Sequence, residues 1–159
     1  MKISVFVVAS SVLSAISVVP TVAAAADEHK MFTLQDIKWS PAPPSLPVGA
    51  EVAVLYGDLS KDGLFAIRLK VPKGYRVPAH THPKPEIATV LSGTVRVGMS
   101  ETPDAAKENV FPAGSFYATP PGMVHYFVAD EDAVVQVNSS GPWGINYVNA
   151  KDDPRQKSK

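Results

Sequence analysis

Two histidines one residue apart, His80 and His82, precede a glutamate, Glu86, in the stretch GYRVPAHTHPKPEIATVLSG, residues 74–93. The whole chain has only four histidines, so this pairing calls for a reason. On an extended backbone, side chains two positions apart leave the same face, about 7 Å apart along the strand. Glu86 has the same parity, and a bend through Pro83 to Pro85 would fold it back towards the pair. That would set two imidazoles and one carboxylate around one point. Nitrogen and oxygen donors of intermediate hardness suit a divalent transition metal such as Fe, Mn, Co, Ni, Cu or Zn. Such an ion lowers the pKa of bound water or polarises a substrate oxygen. An H-x-H pair alone is weak evidence, because it also occurs on solvated strands.

The elements that must position these groups read as strands. Fifteen prolines and ten glycines, spread along 159 residues, favour short elements joined by tight turns over long helices. In LFAIRLKV, Phe65, Ile67, Leu69 and Val71 alternate with Ala66, Arg68 and Lys70, a period of two with one buried face and one solvated face. EVAVLYGD, EIATVL, TVRVGM, ENVF, SFYAT, HYFVA, AVVQVNS and INYV complete nine expected strands, each ended by Gly, Pro, Ser or Asp. The pattern predicts an all-β sandwich or barrel. TPDAAKEN is the one stretch where a helical turn is expected.

Outside that block, the first 26 residues carry Lys2, an apolar segment from Ile3 to Val19, and small residues ending Ala24-Ala25-Ala26. This is the three-part layout of a secretory signal, and it predicts an exported, periplasmic or secreted protein with no membrane attachment once the signal is removed. Residues 27–50 hold Pro41, Pro43, Pro44 and Pro47 and read as a proline-rich arm lying along the domain. Residues 51–150 form the β-domain, and 151–159 a polar, solvated tail. With no cysteine there are no disulfides, so core packing alone holds the mature domain together. Fifteen basic and fifteen acidic residues, without a cationic run, argue against nucleic acid as a partner.

Reading outwards from the histidine pair, Gly74 precedes His80 by six positions and Gly93 follows Glu86 by seven. Further on come Gly114, Pro120, Gly122 and His125. The two groups resemble the paired signatures of the cupin superfamily, G-x5-H-x-H-x(3 or 4)-E-x6-G and G-x5-P-x-G-x2-H-x3-N. The first matches throughout. The second departs only at its end, where Ala129 stands in place of Asn, a position that is not a ligand in the family. The resemblance covers roughly Glu51 to Val148, with its motif core from Gly74 to His125. KWSPAPPSLPVGA and VQVNSSGPWGINYVNAKDDPR also look like stretches of small exported cupin-domain proteins, which speaks to fold and not to reaction.

The resemblance implies an antiparallel double-stranded β-helix, or jelly-roll barrel, with His80, His82, Glu86 and His125 pointing inward at one metal. Gly93 would then open the hairpin in LSGTV, and Gly122 the turn leading to His125. His29 reads as an ordinary surface histidine. If the strand at His125 is regular, Met123 and Phe127 share its parity and line the same pocket, while Tyr117 and Tyr126 fall on the opposite face. One glutamate against a dication leaves a formal single positive charge, suited to a carboxylate, enolate or phenolate substrate.

With no Ser-His-Asp pattern and no phosphate-cradling glycine loop, acid–base chemistry falls to Glu86, bound water or a tyrosine. Two functions are expected: an oxidoreductase of dioxygenase type acting on a small oxygenated or aromatic molecule, or a non-catalytic exported module that binds a metal or small ligand. A metal-dependent isomerase or lyase would use the same ligands. By analogy with cupins, the chain is expected to form a homodimer through sheet edges, with the proline-rich arm able to cover a neighbour's edge.

Overall fold

Strand β3 (Gly63–Val71) keeps the expected alternation, burying Phe65, Ile67 and Val71. Along β10 (Ala133–Gly141) every odd-numbered residue is buried. These two strands pair antiparallel over their whole length, from Ala133 opposite Val71 to Gly141 opposite Gly63. Matched period-two faces fix this register, because a one-residue slip would turn every apolar side chain to water.

The computed structural model describes residues 29–156. The remaining strands are β1 (Ser40–Pro41), β2 (Glu51–Tyr56), β4 (Arg76–Thr81), β5 (Glu86–Ser92), β6 (Thr94–Gly98), β7 (Glu108–Pro112), β8 (Phe116–Thr119), β9 (His125–Ala129) and β11 (Asn146–Tyr147). They form a six-stranded sheet, β1-β2-β3-β10-β5-β8, and a five-stranded sheet, β11-β4-β9-β6-β7, with every pairing antiparallel. The core lies between them, with Ile67, Val90 and Val137 from the first sheet packed among Val77, Val95 and Val97 from the second. This is the jelly roll that the motif spacing implied. Gly93 has φ +75° and no room for a side chain, since a Cβ would sit 2.4 Å from the Asp132 carbonyl oxygen.

Two strands lie outside the nine expected. β1 belongs to the proline-rich arm, where Ser40 pairs with Val52 and Pro41 with Glu51. The arm therefore covers an edge of its own chain's sheet. Proline suits that place, because an outermost strand needs no inward-donating amide there. The other, β4, carries His80. Its pattern is broken by Pro78 and by a register shift against β9 between Val77, opposite Phe127, and His80, opposite His125. The extra residue on β4 lets Val77 and His80, three apart, both face the interior.

The TPDAAKEN stretch holds a single 3-10 turn, Ala105–Lys107, capped by the Asp104 side chain. The start of the tail is docked and not free: it folds into turns at Ala150–Asp152 and Pro154–Gln156, and Arg155 Nη2 donates to the Ile145 carbonyl at 3.1 Å. The secretory-signal segment lies outside the described residues. No helix among those described is long and apolar enough to cross a membrane.

Candidate metal centre

His80, His82, Glu86 and His125 are all buried, and their donor atoms lie within 4.8 Å of one another. Both sheets are needed to assemble them. His80 and His125 face each other across the β4–β9 pair, while His82 follows β4 and Glu86 opens β5 on the opposite sheet. The link 82–85, THPKPE between its neighbours, turns the chain from one sheet to the other, as Pro83 and Pro85 suggest. Gly122, at φ +75°, donates its amide to the His82 carbonyl at 2.9 Å, tying the turn before His125 to the histidine pair.

Each imidazole has its outer nitrogen on a backbone carbonyl. His80 Nδ1 meets Pro78 O at 2.7 Å, His82 Nδ1 meets Gly144 O at 2.7 Å and His125 Nδ1 meets Met123 O at 3.2 Å. A carbonyl can only accept, so each Nδ1 carries a proton, and in the neutral ring that tautomer leaves the Nε2 lone pair pointing inward. Those lone pairs converge. His80 Nε2 is 3.2 Å from His82 Nε2, and Glu86 Oε2 is 2.8 Å from His82 Nε2 and 3.7 Å from His125 Nε2. Burial, reinforced by His125 and His82, pushes the His80 imidazole down to about 3, so it is neutral near pH 7.

Three inward lone pairs and an anionic oxygen repel one another unless a positive charge sits between them. The donor set and its carbonyl-bound outer nitrogens fit a divalent transition metal. Tyr117, expected on the opposite face, in fact points inward. It lies opposite Ala88 in the β5–β8 register, and its hydroxyl donates to Glu86 Oε1 at 3.1 Å. Burial and the Glu86 charge raise that hydroxyl well above the ordinary tyrosine value, so it stays protonated. Tyr126 does lie on the outer face of β9, buried with Ala79 and Val128.

A cavity of about 50 Å³ opens beside the four donors, walled by Leu46, Val77, Phe127, Val137, Trp143 and Ile145 among others. Among the described residues, no lysine or arginine lines it. Phe127 is in the wall, as its parity predicts. Met123 is not: it is 41% exposed in the Pro120–Met123 turn, because β9 begins only at His125 and the alternation does not reach back to it.

Trp143 escaped the sequence reading. Its ring stacks on His82 with centroids 4.9 Å apart at 17°, and Gly144 next to it holds His82 Nδ1. The only signal was an aromatic residue inside the Gly/Pro-rich GPWG. Leu46 comes from the arm, whose loop is held by Tyr75 Oη on Pro47 O and Tyr147 Oη on Ser45 O, both at 2.8 Å. His29 is exposed and remote from the cluster in sequence.

Comparison with known proteins agrees with this geometry. Residues 67–139 match the cupin domain family. This chain carries a cupin domain. Germin-like protein 3-1 of Oryza sativa subsp. japonica is 35% identical over 80 residues, which are 50% of this chain and 36% of that protein. The chain thus spans well under half the length of the curated relatives it matches. Among solved structures, the polyketide cyclase RemF from Streptomyces resistomycificus superposes with TM-score 0.65 at 19% identity, covering 81% of this chain and 92% of that one. A putative acetylacetone dioxygenase from Methylibium petroleiphilum PM1 gives 0.61 at 16% identity, covering 80% and 85%. At such identities these likenesses speak to the fold alone.

Proposed function

We propose that the protein is an exported metal-dependent oxidoreductase of dioxygenase type, acting on a small molecule with one acidic oxygen and an apolar body. The observation that carries this reading is the placement of four buried donors beside a largely apolar cavity that no described lysine or arginine lines. His80, His82, His125 and Glu86 would hold the ion, which when bound supplies Lewis acidity and access to O2 chemistry. The carbonyl contacts at each Nδ1 keep the imidazoles oriented, and Trp143 packs flat against His82 to limit its rotation. The apolar wall excludes water, which strengthens electrostatic interactions inside. Trp143 Nε1, buried without an acceptor among the described residues, is a donor left for a substrate oxygen. A substrate with two charged ends is disfavoured, since its second charge would meet only apolar walls.

A putative acetylacetone dioxygenase shares this fold, so the fold is compatible with the proposed reaction class. The test is to purify the mature chain, identify its metal by elemental analysis and measure O2 uptake with a panel of phenols and 1,3-diketones. Metal-dependent uptake that Glu86→Ala abolishes is the expected result. No turnover with any reconstituted metal would favour the second reading, a non-catalytic exported module that binds a metal or small ligand. The small size of the cavity favours that alternative. Export itself is proposed from the leader-like first 26 residues, and N-terminal sequencing of the mature protein checks it. A homodimer joined through sheet edges remains part of the proposal, checked by its mass in solution.

A further inference from the structure

The two oxygens of Glu86 have different surroundings. Oε2 faces the imidazoles, 2.8 Å from His82 Nε2 and 3.7 Å from His125 Nε2. Oε1 is turned away and accepts the Tyr117 hydroxyl at 3.1 Å. Both side chains are buried, so water does not compete for that hydrogen bond. Tyr117 is itself fixed: β8 pairs with β5 along Glu86 to Thr89, and the Tyr117 ring packs on Phe111 with centroids 5.2 Å apart.

We propose that Tyr117 is a positioning residue that confines Glu86 to a single inward oxygen, so that the metal centre keeps its open coordination positions. The inference rests on the metal-dependent reading above and adds a device that decides how many sites stay free. A carboxylate that closes on an ion with both oxygens occupies two positions. One whose second oxygen is engaged by a hydroxyl occupies one. With three imidazoles already present, the difference on a six-coordinate ion is between one open position and two. A centre that binds substrate and O2 together needs two. Tyr117 touches neither in this arrangement; it acts through Glu86.

The test is Tyr117→Phe, which keeps the ring against Phe111 and removes only the hydroxyl. Wild type and variant are loaded with Co(II), and three quantities are read: bound cobalt per chain, the Co(II) visible spectrum, and the dissociation constant by chelator competition. The expected result is stoichiometric cobalt in both, a shift of the visible bands in the variant as Glu86 closes with both oxygens, and affinity altered by about 10-fold or more. An unchanged spectrum and unchanged affinity in a folded, loaded variant overturn the proposal. Wild type that binds no cobalt overturns the metal reading itself, a different failure. If the variant does not fold, a crystal structure of metal-loaded wild type decides: Glu86 Oε1 still on the Tyr117 hydroxyl supports the proposal, and both Glu86 oxygens on the ion refute it.

Discussion

Two buried carboxylates in this protein, Glu86 between the sheets and Glu108 on β7, are held alike on one side and differently on the other. Their side chains are 8% and 4% exposed. Each accepts a tyrosine hydroxyl at Oε1: Tyr117 at 3.1 Å for Glu86, Tyr126 at 3.1 Å for Glu108. At Oε2 they part. Glu108 meets the guanidinium of Arg96, which also holds Asp130 through Nε at 2.9 Å and Nη2 at 2.8 Å. Glu86 meets imidazole nitrogens that present lone pairs. One cluster owns its cation covalently, and the other is shaped to import one. A permanent arginine makes a structural clasp; three imidazoles make a site whose charge can be exchanged and which faces a cavity.

The largest effect that would sharpen this contrast is metal-dependent stability. A ligand bound only by the folded state, at a thousand times its dissociation constant, adds about 4 kcal/mol. For a domain of this size that is on the order of 10 °C in Tm. Saturating metal should raise the Tm of wild type, and chelation should reverse the rise. His82→Ala should abolish the shift, and thermal scans in which that variant keeps it would remove His82 from the site. Next comes Arg96→Met. It leaves Glu108 buried without its cation and is expected to cost about 2 to 3 kcal/mol in urea denaturation. Its metal shift should be intact. Loss of metal binding in that variant would show that the two clusters are one coupled unit.

How much of this was legible in the sequence depends on whether the information was local. The four-donor cluster was readable because His80, His82, Glu86 and His125 stand at family spacing, and β3 because Phe65, Ile67 and Val71 alternate without interruption. β4 was not, since Pro78 and the register shift break its period at the place where a bulge re-aims His80. Tyr117 was assigned to the wrong face because the polarity of SFYAT does not say which side meets β5; only the pairing of Tyr117 with Ala88 does. Met123 was misplaced by extending β9 two residues into a turn. Trp143 contacts His82 across 61 positions of chain, beyond the reach of periodicity.

Tyr126→Phe is a smaller perturbation and a sharper comparison with Tyr117→Phe. The Tyr126 hydroxyl donates to Glu108 Oε1 and accepts the Asp104 amide at 2.9 Å, so its removal strands both partners. The expected loss is about 1.5 kcal/mol of stability, with no change in metal affinity or in the Co(II) spectrum. Tyr117→Phe should do the reverse, changing the metal centre more than the fold. Equal spectral effects from the two variants would erase the distinction between clasp and centre.

The smallest predicted effect concerns pH in the metal-free protein. The His80 imidazole is held down to about 3 in the folded chain, against an ordinary value of 6.5, chiefly by burial. Between those values the unfolded state binds a proton that the folded state refuses, so stability rises with pH across the window and falls as pH drops through 6.5. From pH 6.5 to 5.5 this group should cost about 1 kcal/mol. The Arg96 guanidinium lies at the other extreme: hydrogen bonding to Asp130 and the nearby carboxylate charges raise its already high pKa, so it keeps its charge throughout the window. Chelator-treated wild type and Arg96→Met should therefore lose stability with the same slope, while His80→Asn should show a shallower one. A wild-type profile that stays flat from pH 6.5 to 5.5 would mean that the imidazole accepts its proton in place, and that the inner cluster, like the outer one, carries a positive charge of its own.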